Sequence, residues 1–171
     1  RLIRTLVTSA AYRQGSETHK AGYAKDPENR LLWRMNRRRV DFETMRDSIL
    51  SVTGRLEPKV GGQPFDLVAN FGTPRRTLYA LIDRQNLPAV FRTFDFANPD
   101  YHVARRNQTT TPQQALWMLN HPFTRQQADL LADTLVGAPS EEAKVAQLYR
   151  RILGRAPQPS EVKQALTYVQ A

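Results

Sequence analysis

The chain has 171 residues, of which 40% are hydrophobic and 24% are charged, a composition typical of one globular domain over residues 1–171 and unlike that of a disordered chain. It has no cysteine and no apolar run near the roughly 18 residues of a transmembrane helix, which excludes disulfides, thiolate metal sites, covalent haem attachment and a membrane span from this segment. The net charge of +9 favours an anionic partner, although nucleic acid is disfavoured because the arginines are spread along the chain.

The first elements are short. Leu2 to Ala11 is predicted to be the end of an amphipathic helix, so we expect the chain to be a piece of a longer protein. The polar stretch from Tyr12 to Tyr23 is predicted to be a loop. The Asp26-Pro27 pair then indicates a helix start, and a short helix is expected from about Pro27 to Asn36.

The clearest helix lies between Asp41, which can cap its N-terminus, and Gly54, which can adopt the left-handed conformation common at a helix C-terminus. The spacing of Phe42, Met45, Ile49 and Val52 predicts one buried apolar stripe. The remaining charged residues of the helix fall off that stripe and are expected to form a solvated, ion-paired face: they are Glu43, Arg46 and Asp47.

A dense basic run precedes this helix and includes Arg37, Arg38 and Arg39. Each guanidinium is a planar fork suited to carboxylate, sulfate or phosphate. Either nearby acidic residues of the fold neutralise this run, or an external anion does, and the sequence leaves both alternatives open.

The segment after Gly54 is rich in glycine and proline and is predicted to be a long irregular loop. Arg76 to Arg84 is the best candidate for a strand, with a helical turn as the competing interpretation. Residues 89–94 are expected to form one helical turn.

The C-terminal part is predicted to be helical. Thr111, Pro112 and Gln114 form a capping box for an apolar and therefore central helix over 115–119, and His121-Pro122 ends it. A helix over 123–136 and a helical hairpin follow, with Ser140 and Ser160 as N-caps and Gly154 as a stop. We therefore expect a mainly α fold, a single helical domain with long irregular loops and a minor extended segment.

Candidate binding residues concentrate in the polar loop from Asp95 to Thr111, which leads into the capping box. The alternative is that Arg105 and Arg106 pair with Asp95 and Asp100 and so hold the loop in place. The other candidates in this loop and in the helix after it are His102, Thr109, Thr110 and Gln114. Tyr79, which has Arg75, Arg76 and Arg84 near it in sequence, is a candidate stacking platform for a sugar or a base, and Arg84 is a further candidate. No histidine has another histidine or an acid at helical spacing, so no metal site is predicted.

Several segments together resemble a known family: LVTSAAYRQ, DPENRLLWRMNRRRVDFETMRDSILSVTGRL, GGQP, RRTLYALIDRQNLP, FDFANPD, RRNQTTTPQQALWMLN and YRRILGRAPQPSEV. In this order they resemble the C-terminal domain of unknown function of large exported, cytochrome-associated proteins of planctomycetes and related bacteria. The resemblance spans practically the whole chain. It implies an exported or cell-envelope protein, with any haem in an upstream domain and no cofactor in this segment.

The resemblance also makes the handling of complex, often sulfated, polysaccharide a plausible role. The first hypothesis is therefore a non-catalytic or accessory binding module for anionic polysaccharide. A second is a polysaccharide-processing enzyme domain in which Glu43 and Asp47, or Asp95 and Asp100, act as paired carboxylates. A third is a structural domain that docks onto the upstream domains of the same protein.

Overall fold

The computed structural model describes residues 1–170. Helices make up 46% of the chain, and the prediction of a mainly α fold is confirmed. The chain divides into two compact units, the first over Arg1–Arg39 and the second from Val40 onward.

The first unit contains two short helices, α1 (Leu2–Thr8) and α2 (Lys20–Lys25). The N-terminal helix is found where it was predicted, and its apolar residues Leu2 and Ile3 are exposed. The prediction of a loop up to Tyr23 is wrong at its end, because the His19 Nδ1 atom accepts a hydrogen bond from the Gly22 backbone N–H and so starts α2.

The predicted helix from Pro27 to Asn36 is also wrong, since these residues form turns. Asn29 and Leu32 have positive φ angles of 57° and 55°, which a right-handed helix cannot accommodate. The Asn29 side chain bonds to the backbone of Arg34 instead. The Asp26 carboxylate accepts from the Leu31 N–H, which lowers the pKa of Asp26 below its ordinary value.

The second unit contains the remaining helices of the described chain. They are α3 (Phe42–Val52), a 3₁₀ helix (Thr77–Tyr79), α4 (Ala89–Thr93), α5 (Pro112–Asn120), α6 (Pro122–Asp133), α7 (Glu141–Leu153) and α8 (Pro159–Gln170). The expected extended segment at 76–84 is reduced to the 3₁₀ helix and an isolated parallel bridge between Phe65 and Ala80. The competing interpretation, a helical turn, therefore describes residues 77–79.

The core of this unit is aromatic. It is built from buried Phe42, Leu67 and Phe91, and Phe42 makes edge-on ring contacts with Phe91 and with Trp117 of α5. Such contacts contribute about 0.5–1.5 kcal/mol each beyond the burial of area. The core lies between α3, α4 and α5. The loops that form the clefts described below are connected to these helices.

The orientations of two helices differ from the predictions. In α3 the buried residues are Phe42, Arg46 and Leu50, so the buried face is rotated from the predicted apolar stripe and includes a charged residue. In α5 only one face reaches the core, and Leu116 and Leu119 are 57% and 73% exposed. The expectation of a central α5 is therefore correct for Trp117 and wrong for its other apolar face.

The C-terminal helical hairpin is confirmed, because α7 and α8 pack against each other. Ser140 caps α7, and Gly154 ends it with a left-handed φ of 68°. Ser160 is not the N-cap of α8, which begins at Pro159. Arg151 of α7 donates to the Val52 carbonyl and to the Thr134 hydroxyl, so the hairpin is fixed to α3 and α6.

Candidate functional site

Arg46 lies at the centre of the second unit and is completely buried, with 0% exposure. Its guanidinium donates hydrogen bonds to the carbonyl oxygens of Phe71 at 2.8 and 3.2 Å and of Arg75 at 3.1 Å, and also to the Thr73 carbonyl. A fifth bond goes to the Thr77 hydroxyl at 3.1 Å. The prediction that Arg46 lies on a solvated face is wrong, because it organises the irregular segment from Phe71 to Thr77 from the inside.

Burial lowers the pKa of Arg46 to about 10, and the neighbouring Asp47 carboxylate opposes this shift. Arg46 therefore stays protonated at neutral pH and can use its donors on the carbonyls. Because it is enclosed by protein groups, we assign it to the fold rather than to ligand binding.

Asp47 and Glu43 lie one turn apart on α3, and both are engaged. Asp47 accepts hydrogen bonds at 2.7 Å from both the backbone N–H and the hydroxyl of Thr77, and it pairs with Arg76 at 3.4 Å. Glu43 pairs with Arg106 at 2.9 Å. This hydrogen bond raises the pKa of Arg106 above its ordinary value.

A first cleft of about 470 Å³ lies beside the loop that starts at Asp95. We call it the arginine cleft, and it is lined by Arg84, Arg92, Arg105, Arg106, Asp95, Asp100, Asn98, Asn107, Leu87, Phe96, Ala97, Pro99 and Val103. Its polar lining is thus dominated by guanidinium and amide groups. Its volume falls within the range of about 300–1,000 Å³ for small-molecule sites.

The charges of the arginine cleft are only partly neutralised. Arg84 pairs with Asp100 at 3.3 Å, and the carboxylate of Asp95 accepts from the backbone N–H and hydroxyl of Thr109. Arg92 and Arg105 are exposed and make no ion pair with any residue between 1 and 170. An anion entering this cleft therefore meets guanidinium groups that no carboxylate occupies.

The predicted pairing of Arg105 and Arg106 with Asp95 and Asp100 is wrong. Arg106 reaches Glu43 on α3, and Arg84 takes Asp100. Asp95 has a positive φ of 58°, and its bonds to Thr109 close the loop between them. The loop is thus held by a carboxylate–hydroxyl contact at its base.

The base of the loop continues into α5. Gln114 is buried, and its side-chain amide donates to the Thr93 carbonyl at 2.8 Å. The predicted capping box is present, since Thr111 accepts from the Gln114 N–H and the Gln114 side chain accepts from the Thr111 N–H. Gln114 therefore fixes the loop to α4, and Thr110 is exposed on that loop.

A second cleft of about 540 Å³ lies along α3. We call it the hydroxyl cleft, because its polar lining includes Thr44, Ser48, Ser51 and Thr77 as well as Glu43, Asp47, Arg76 and Arg106. Its apolar lining includes Leu78, Ile82 and Phe96. Phe96 and Arg106 line both clefts, so the two clefts are neighbours.

Two other predicted candidates, Tyr79 and His102, line neither cleft. The Tyr79 hydroxyl accepts from the Gly61 N–H at 3.0 Å, and Arg75 stacks on its ring at 4.6 Å, so Tyr79 stabilises a glycine turn. His102 is exposed on the loop.

The arginine run is exposed as a whole. Arg37 and Arg38 make no ion pair within the part of the chain that the structure describes. Two acids close to this run in sequence have other partners: Glu43 pairs with Arg106 and Asp47 with Arg76. Whether Arg39 belongs to a ligand site stays a prediction.

Sequence reasoning missed Arg92, Asn98 and Asn107 as residues of the arginine cleft. The only available signal was that Arg92 lies in the last turn of a short helix directly before the polar loop. Ser48 and Ser51 were also missed. A serine on an exposed helix face indicates a binding site only when the segment that forms the other wall of the cleft is known.

The fold and its clefts define a mainly α-helical domain with a polar, arginine-lined surface site. The chain belongs to the PSD1 family, described as proteins of unknown function (DUF1553), whose family model matches residues 1–169. No curated protein and no solved structure is significantly similar to the chain. Among the helices of residues 1–170, none is both long enough and apolar enough to cross a membrane.

Proposed function

We propose that this domain is a non-catalytic binding module for anionic polysaccharide. The observation that carries this proposal is the pair Arg92 and Arg105, both exposed in the arginine cleft and without an ion pair among the described residues. Both residues line the same cleft, and each guanidinium can bind a sulfate or carboxylate through charge-assisted hydrogen bonds.

The remaining lining of the arginine cleft suits a sugar. Asn98 and Asn107 offer amide donors and acceptors for hydroxyl groups, and Phe96 offers an apolar surface for the C–H groups of a ring. The net charge of +9 further favours approach of a polyanion. The cleft is polar and open, which fits a segment of a polymer better than a small apolar ligand.

The resemblance in sequence supports a setting for this module. We place it in the C-terminal part of a longer, exported or cell-envelope protein of planctomycetes or related bacteria, in which any haem belongs to an upstream, cytochrome-like domain. In such a protein the module would hold the polysaccharide while other domains act.

Affinity electrophoresis in gels containing sulfated, carboxylated or neutral polysaccharide tests the proposal. We expect the acidic polymers to retard the protein at low salt and the neutral ones not to, and we expect added salt to reduce the retardation because screening weakens exposed charge contacts. No retardation by any acidic polysaccharide at low salt would refute the proposal.

Arginine variants locate the site. Arg92→Ala and Arg105→Ala should each weaken binding about 10- to 150-fold, since a charge-assisted hydrogen bond contributes about 1.5–3 kcal/mol. Arg125→Ala is the matched control, because Arg125 is an exposed residue of α6 away from both clefts. An equal loss in all variants would show that binding depends on net charge alone.

A second candidate function is a polysaccharide-processing enzyme, favoured by the presence of Glu43 and Asp47 in one cleft. Both carboxylates accept hydrogen bonds, Glu43 from Arg106 and Asp47 from Thr77, so a substrate would compete with these partners for them. Release of reducing ends from an acidic polysaccharide, lost in Glu43→Gln, would establish this function in place of simple binding.

A further inference from the structure

The hydroxyl cleft is adjacent to the arginine cleft and is not used by the binding proposed above. Arg106 and Phe96 form the boundary between the two clefts. The Arg106 guanidinium lies 4.5 Å from the centre of the Phe96 ring and bonds to Glu43 at 2.9 Å. A ligand that extends past this boundary would pass from one cleft into the other.

The boundary is held in place and still has hydrogen-bonding capacity. The Arg106 side chain is 31% exposed, and its hydrogen bond to Glu43 uses one of the five N–H donors of a guanidinium. Arg106 can therefore donate to a ligand atom at the boundary while it keeps its partner.

The two clefts have different chemistry. The arginine cleft offers Arg92 and Arg105 to an anionic substituent, whereas the hydroxyl cleft offers the exposed side chains of Thr44, Ser48 and Ser51. Glu43 and Asp47 also line the hydroxyl cleft, and each is paired with an arginine of the same lining, Glu43 with Arg106 and Asp47 with Arg76. The described lining of this cleft therefore offers a sulfate or carboxylate no unpaired cation. Uncharged sugar hydroxyls, in contrast, can donate to carboxylates and exchange hydrogen bonds with serine and threonine.

We propose that the hydroxyl cleft is a second subsite that binds an uncharged sugar unit next to the anionic unit held in the arginine cleft. This inference rests on the proposed function and narrows it. The ligand class is a polysaccharide chain in which anionic and neutral units are neighbours, rather than one that is charged on every unit.

Calorimetric titration with two probes of equal charge tests this subsite. The probes are a monosulfated galactose and a galactotriose with one sulfate on a terminal unit. We expect the trisaccharide to bind at least about tenfold more tightly, because the neutral units add contacts in the hydroxyl cleft. Equal affinities for the two probes would overturn the second subsite and leave the proposed function intact.

A bulky uncharged side chain placed in the hydroxyl cleft separates the subsites. Ser51→Trp adds an indole at an exposed position of α3 that lines this cleft. The indole should occupy the space of the neutral units and so remove the gain of the trisaccharide without changing the affinity for the monosaccharide. Gln164→Trp, at an exposed position of α8 that lines neither cleft, adds the same side chain and should affect neither probe. A similar loss for both probes in Ser51→Trp would overturn the subsite.

The same variants are compared in affinity gels when the monosaccharide binds too weakly for calorimetry. Ser51→Trp should then weaken retardation by a polymer with alternating sulfated and neutral units more than retardation by a polymer sulfated on every unit. Equal weakening would overturn the subsite. Failure of every acidic polymer to bind the unaltered protein would instead refute the proposed function, and this inference with it.

Discussion

Replacing Arg46 by alanine is expected to remove a large part of the stability of the unit that begins at Val40. The substitution takes hydrogen-bond donors from the carbonyls of Phe71, Thr73 and Arg75. A buried acceptor left without a partner costs about 1–3 kcal/mol, so these carbonyls together lose about 3–9 kcal/mol. Because they are partly buried, water can replace some donors, and we expect a loss of about 3–5 kcal/mol, comparable to that of a broken buried ion pair.

Urea unfolding followed by tryptophan fluorescence measures this loss, since Trp117 packs against Phe42 in the core. Total stabilities of domains are about 5–15 kcal/mol, so the midpoint should move far toward zero urea. Arg46→Lys keeps the charge but not the planar fork, and it should recover only a minor part of the loss. A change below about 1 kcal/mol in Arg46→Ala would refute the view that this side chain organises the segment.

Arg125→Ala is the control for the Arg46 experiment. It removes an arginine of the same charge and size from an exposed position in the first turn of α6, where a positive charge is unfavourable to the helix dipole. Its free energy of unfolding should stay within about 0.5 kcal/mol of that of the parent. A large loss in this variant would show that the removal of any arginine destabilises the protein.

Three further outcomes are expected. Burial lowers the pKa of His121 below its ordinary value of 6.5, and its Nδ1 atom accepts a hydrogen bond from the Phe123 N–H. As the pH drops, the unfolded chain therefore binds the proton before the folded one does, and the free energy of unfolding should fall as the pH drops through about 6.5. Unfolding curves of His121→Asn should lack this fall. The hydrogen bond from Arg155 lowers the pKa of Glu161 to about 2 from 4.5, so the advantage of the parent over Glu161→Gln should be complete above pH 4.5 and disappear toward pH 2; a constant difference over this range would contradict it. Arg38→Ala, at an exposed position, should change the free energy of unfolding by less than about 0.5 kcal/mol. A large loss of stability in this variant would remove the arginine run from the candidate binding surfaces.

The elements that the sequence predicts well are those that depend on neighbours in the chain. The cap of α5 by Thr111 and Gln114 and the end of α7 at Gly154 involve residues within one or two turns. Backbone donors and acceptors at helix ends need such partners wherever the helix lies. The positive φ angles of Asn29 and Leu32 are equally local, but neither residue type requires that conformation, so the sequence pattern suggested a helix there.

Which charges meet was decided by the tertiary structure. Arg106 pairs with Glu43, 63 positions away, whereas the nearest acids in sequence had been expected as its partners. Apolar periodicity also predicted that Arg46 is exposed. A periodicity cannot show that carbonyl groups of a distant irregular segment satisfy a buried guanidinium. The helical content and basic character of the protein follow from its composition and local patterns. The clefts instead depend on the path of the loops at 71–77 and 95–109. That path decides which acceptor lies within about 3 Å of each guanidinium, and so which pairs form.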